Sequence, residues 1–148
     1  MAELWMAVLT GIVGVRLSII DFEEHRLPDR FTLPLAGALP LCVWAWGESS
    51  QWWWGLCGAV LTTLLFLLFA LLPRHSLGWG DVKFQWSLGF FLGAHSWWAP
   101  FVGVLLTFLL SGCAAIVGLL RRRMSLESAL PLGPYMTSAT LLVVAFVL

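Results

Sequence analysis

Apolar residues gather in six runs, at about 4–20, 31–47, 52–72, 84–98, 99–120 and 131–148, with short polar stretches between them. A helix that crosses the hydrocarbon core needs about 20 mostly apolar residues, with a usual range of about 17–25. Runs one, three and five meet that length comfortably, and runs two and six are shorter but sufficient. The fourth is the weakest, because His95 and Pro100 blur its end and the fifth begins almost at once. The pattern predicts an all-α, polytopic membrane helical bundle of about six transmembrane helices, or five if the fourth run inserts only in part. No linker, low-complexity tract or clear internal repeat interrupts it, so a single domain over 1–148 is expected.

Composition agrees with the pattern. The chain is 60% hydrophobic and 11% charged, where a soluble domain carries about a quarter charged residues. Its mean hydropathy is +0.91. A formal net charge of zero gives no electrostatic reason to expect nucleic acid as a partner.

The placement of charge says more. Arg26 and Arg30 fall in the first loop, Arg74 and Lys83 in the third, and Arg121, Arg122 and Arg123 in the fifth, while the second and fourth loops hold no Lys or Arg. The positive-inside rule then puts loops one, three and five in the cytoplasm and the N-terminus outside. Trp5, Trp44, Trp46, Trp52, Trp53, Trp54, Trp97 and Trp98 all fall at the opposite ends of their runs, as an aromatic belt on one interface does. The first run has neither a basic start nor a small-residue cleavage site, so it reads as a span rather than a secretory signal. Cys42, Cys57 and Cys113 are scattered singly in apolar runs without ligand-like spacing. Neither a zinc site nor a disulfide framework is expected from them, and no cofactor. Small residues recur on the runs, notably Gly11 and Gly14, Gly55 and Gly58, and Gly89 and Gly93, and the last pair, four apart, suits close helix packing.

Six of the eight acidic residues, Asp21, Glu23, Glu24, Asp29, Asp81 and Glu127, lie on the expected cytoplasmic side. Two stand at the ends of apolar runs. Asp81 follows Gly78-Trp79-Gly80 and opens the fourth; the glycines would allow positive φ and keep Cβ atoms out of a ligand's way. Its bland alternative is a helix N-cap. Asp21 closes the first run, where it would face the negative end of a helix dipole; its bland alternative is a solvated loop residue. If helix packing brings the two together, a poorly hydrated pair would share one proton. One carboxyl could then take a proton from water while the other donates to a carbonyl oxygen, hydrolysing a peptide without metal or covalent intermediate. The helix ends favour ionised Asp81 as general base and protonated Asp21 as general acid.

Gly78, Trp79, Gly80, Asp81, Val82 and Lys83 resemble the glycine-x-glycine-aspartate-x-lysine signature of the type IV prepilin leader peptidases. The stretch from Ile19 to Leu35 is similar to that family's first motif. Phe84 to Gly93 is similar to its helix with two glycines four apart, and Pro131, Gly133 and Pro134 to the start of its last helix. The matches keep the family's order and cover nearly the whole chain. The resemblance implies that Asp21 and Asp81 are the catalytic pair, with Gly78, Gly80 and Lys83 in support. It also implies prepilin or pseudopilin substrates, cut after a glycine that ends a short basic leader at the cytoplasmic face of the bacterial inner membrane. Longer family members carry paired C-x-x-C motifs that serve N-methylation; none precedes the first run here, so cleavage without methyl transfer and without zinc is expected. Asp29 stands where asparagine is commoner, adding negative charge near the site.

Glu23 and Glu24 are candidates to attract a basic leader, against ordinary solvated charge. Lys83 is a candidate to hold substrate backbone or bias the pair, against a plain interfacial anchor. Arg16 is expected to snorkel. Other readings are a non-catalytic binder of pilin-like partners, a small proton-coupled transporter and a presenilin-like protease. Oligomeric state is not legible in the sequence.

Overall fold

The computed structural model describes residues 2–24, 27–72, 77–121 and 130–147. Arg26, Arg74, Arg122, Arg123 and Glu127, as well as His25 and His75, lie outside the described residues. Six helices follow one another: α1 (Ala2–Glu24), α2 (Asp29–Trp46), α3 (Ser49–Ala70), α4 (Trp79–His95), α5 (Ala99–Leu120) and α6 (Gly133–Val147). Among the described residues there is no strand. Residue pairings fix the directions. Gly55 and Gly58 on α3 face Gly93 and Gly89 on α4, so these helices are antiparallel. Asp21 and Gly14 on α1 meet Gly133 and Thr137 on α6, again antiparallel. The C-terminal end of α1 and the starts of α2, α4 and α6 therefore share one end of the bundle.

The outer surface is what a lipid solvent selects. Leu4, Ile12, Ile19, Leu64, Leu68, Leu105 and Leu109 are exposed, a cost in water and none in hydrocarbon. Helices α1, α3 and α5 each contain a 22-residue stretch apolar enough to cross a membrane. The chain is a membrane helical bundle. The tryptophans expected at one interface are all exposed and sit at the end opposite Asp21 and Asp81.

The weakest run of the sequence is the centre of the fold. Eleven of the seventeen residues of α4 are buried, among them Phe84, Gln85, Ser87, Phe90 and Phe91, and α4 packs on every other helix. Its modest hydropathy has a simple reason: it faces protein on all sides, so it need not be apolar throughout. At about 1.5 Å per residue it is about 25 Å long, close to the thickness of the hydrocarbon core. Its closest partner is α3, through small residues. A Cβ on Gly58 would lie 2.6 Å from the Gly89 carbonyl oxygen, and one on Gly93 would lie 2.5 Å from that of Trp54. The four-residue glycine spacing thus does what the sequence suggested, with Gly55 and Gly58 as the matching half.

Candidate active site

Helix α1 continues to Glu24, so Asp21 lies in its last turn rather than beyond it. The side chain points inward and is 5% exposed, which rules out a solvated loop residue. Its Oδ2 accepts a hydrogen bond of 2.9 Å from the backbone N–H of Gly133, the first residue of α6. The first N–H groups of a helix have no partner within it and carry its positive end. Asp21 therefore meets the favourable end of a second helix, not only the unfavourable end of its own. The same α1–α6 seam is polar further in: Ser18 Oγ stands 3.1 Å from Thr137 Oγ1, which lies 3.3 Å from the Gly14 carbonyl oxygen.

Asp81 lies in the first turn of α4, ahead of the apolar run that starts at Phe84. The N-cap is Gly78, not Asp81, and Asp81 Oδ2 reaches back to accept the Gly78 N–H at 3.2 Å. Gly78 has φ −74° and ψ 146°, ordinary extended backbone. Gly80 lies within α4 and likewise has no positive φ. The expectation that these glycines supply unusual backbone angles is therefore corrected: at Gly80 the need is for space. A Cβ there would stand 2.7 Å from Leu27 Cβ and 3.1 Å from the Leu27 carbonyl oxygen. The head of α4 is thus pressed against the junction between α1 and α2, beside the last turn of α1.

The two aspartates line one pocket of about 280 Å³, together with Leu27, Asp29, Trp79 and Lys83. Burial, and then the nearby Asp21 carboxylate, push the Asp81 carboxyl up from the usual carboxylate range to about 7, against the lowering effect of the Gly78 N–H. Lys83 Nζ donates to both carboxylate oxygens of Asp29, each at 2.8 Å. Asp29 does not add an unbalanced charge to the site, as its sequence position suggested; it ties the head of α2 to α4 through Lys83. With side chains 43% and 55% exposed, this pair is a surface ion pair and contributes about 0–1 kcal/mol. Its value is in fixing where the ammonium sits.

Glu23 and Glu24 are exposed in the last turn of α1 and do not line the pocket. Arg16 is exposed on the lipid-facing side, as a snorkelling residue would be. Three partnerships escaped the sequence: Gly133 with Asp21, Leu27 with Gly80, and Asp29 with Lys83. The first two place a glycine against its partner, and the letters do not say which partner that is. The third had a signal, an opposite charge pair at the starts of neighbouring helices.

Comparison with known proteins identifies the family. The type IV leader peptidase family matches residues 7–120. The leader peptidase HopD of Escherichia coli is 33% identical over 149 residues, covering 93% of this chain and 90% of that protein. A prepilin leader peptidase/N-methyltransferase of Burkholderia pseudomallei (strain 1026b) is 34% identical over 128 residues, covering 82% of this chain. The chain spans 40% of the length of that relative, and 55% of a prepilin leader peptidase/N-methyltransferase of Bacillus subtilis (strain 168) to which it is 28% identical. No solved structure matches. The matched stretch runs from the first helix through Gly80-Asp81 to the end of α5, so Asp21 and Asp81 both fall inside it, and the chain belongs to the type IV leader peptidase family.

Proposed function

We propose that residues 1–148 form a single membrane-embedded aspartic peptidase domain, with Asp21 and Asp81 as its catalytic residues. The observation that carries this reading is one pocket, at one end of the bundle, whose lining includes the carboxyls of both Asp21 and Asp81, from helices far apart in sequence. In the reactive form the pair holds one proton. Asp81, raised to about 7, is the proton holder and general acid; Asp21 is the general base. Asp21 takes a proton from water as its oxygen attacks the peptide carbonyl carbon, and Asp81 donates to the carbonyl oxygen. The resulting gem-diol returns one hydroxyl proton to Asp81 as it expels the amine, which takes the proton from Asp21; the carbon–nitrogen bond breaks, leaving a carboxylic acid and the pair with its single proton. Gly78 and Gly80 hold the head of α4 in place, and Lys83, fixed by Asp29, lines the approach.

Family membership supports a prepilin or pseudopilin as the substrate, with an apolar helix that lies in the bilayer and a short basic leader cut after a glycine. Glu23 and Glu24, exposed beside the pocket end, attract that leader from the water phase. The basic loops put this end at the cytoplasmic face of the bacterial inner membrane and the N-terminus outside.

Co-expression with a prepilin in a strain without such peptidases tests the reading. The native chain is expected to shorten the prepilin by its leader, with the cut after glycine confirmed by mass spectrometry. An unprocessed prepilin beside well-expressed, membrane-inserted protein would sink the proposal. The pH profile tests the proton assignment separately. A carboxyl whose value is raised to about 7 holds its proton below that pH and loses it above. The kcat/KM of purified protein should therefore fall as pH rises through about 7, by about tenfold per unit beyond it. A rate flat from pH 6 to about 9 would remove Asp81 from the role of acid.

A further inference from the structure

We propose that Gly133 is the positioning residue of Asp21: its N–H grips the carboxylate, and its missing Cβ leaves the space that the carboxylate occupies. The inference rests on the peptidase reading above for its kinetic consequence, though not for its geometry.

The space is specific. A Cβ at position 133 would stand 2.9 Å from Asp21 Oδ2, 3.3 Å from Asp21 Cβ and 3.4 Å from Asp21 Cγ. A long side chain could swing its far end away, but a contact with Cβ involves the root of the side chain, so the carboxylate must turn or the helices must part. At 5% exposure Asp21 has no open water to turn into. Gly133 opens a regular helix and has no positive φ, so conformational freedom does not account for a glycine there.

The donor is specific too. Pro134 has no N–H, and the N–H groups of Tyr135 and Met136 are given to the Leu132 carbonyl. Gly133 is the residue of that turn that donates to Asp21. One turn further along α6, Thr137 Oγ1 lies 3.0 Å from the Gly133 carbonyl oxygen and 3.3 Å from that of Gly14, and a Cβ on Gly14 would come within 2.8 Å of Thr137 Cγ2. The start of α6 is thus held to α1 at a second point, away from the carboxylate.

The test compares three forms of the full chain, purified in detergent, on a prepilin with a basic leader. Gly133→Ala is expected to lower kcat roughly 10²-fold, as a displaced catalytic group does, with KM within about twofold because the substrate-facing residues of the pocket are unchanged. Gly14→Ala crowds the same seam away from the carboxylate and should cost far less in kcat. Replacing residue 133 by glycolic acid, which turns its N–H into an ester oxygen and adds no bulk, should lower kcat about tenfold even if the alanine variant folds poorly. The infrared carboxyl band assigned by subtraction of Asp21→Asn should shift in both position-133 forms and not in Gly14→Ala. A native kcat in the ester form, an equal loss in Gly14→Ala, a change confined to KM or an unmoved Asp21 band would each overturn the proposal. If the native chain cleaves nothing, the peptidase reading fails, and the infrared band alone decides the role of Gly133.

Discussion

Asp21→Asn and Asp81→Asn are each expected to lower prepilin cleavage by roughly 10²–10⁴-fold, the usual contribution of a general acid or base. Asparagine is the informative substitution because both aspartates also have backbone partners. With asparagine at position 21 the side-chain amide oxygen can still accept the Gly133 N–H, and at position 81 it can still accept that of Gly78. Both variants should therefore melt close to the native temperature while losing activity. Alanine at position 21 would mix two effects, because an orphaned buried N–H costs about 1–3 kcal/mol in its own right. Groups that act as one unit are not additive, so the double asparagine variant should be little worse than the poorer single one. Native-rate cleavage by either single variant would end the mechanism, whatever the melting temperature.

Gly80→Val should be the most damaging change outside the carboxyls. Its Cβ would press on the Cβ and main chain of Leu27, neither of which can move without shifting the α1–α2 junction. Overpacking of this kind costs about 1–3 kcal/mol. The kinetic cost is expected to be larger, roughly 10²-fold in kcat, because a misplacement of about 1 Å is enough for that. Gly78→Ala supplies the contrast: a Cβ there meets only the end of the Asp81 side chain, at 3.1 Å from Oδ2 and 3.9 Å from Cγ, so its loss should be much smaller. The two variants, compared in one cleavage assay with thermal melts alongside, separate spacing at the head of α4 from any general need for glycine in the motif. Equal losses would show that Leu27 is not what Gly80 accommodates.

How much of this was legible depends on what kind of contact carries each feature. Six helices follow directly from six apolar runs, since a spanning helix must satisfy its backbone internally. The glycine seam between α3 and α4 was half visible, in the spacing of Gly89 and Gly93. The central place of α4 was not legible, because hydropathy measures affinity for lipid, whereas Gln85 and Ser87 face protein. Asp21 and Asp81 were found by motif and by their odd places at the ends of apolar runs. Which of them holds a shared proton is not legible in helix ends alone, because burial and the second carboxyl act on Asp81 as well as the Gly78 N–H. The grip of Gly133 on Asp21 lay beyond reach for a plainer reason: an amide hydrogen belongs to every residue except proline, so nothing in the letters marks which one is used.

Three helices, α2, α4 and α6, begin around the end of the bundle that holds the pocket. Each start carries roughly half a positive elementary charge, a contribution that no count of lysines and arginines records. What counts locally is the pair of amide hydrogens aimed at the carboxylates, Gly133 at Asp21 and Gly78 at Asp81, which offsets the negative end of α1 beside a hollow that Asp21, Asp29, Asp81 and Lys83 line together. The positive charge of the helix starts also stands ready, without rearrangement, for negative charge that appears only fleetingly on a substrate oxygen.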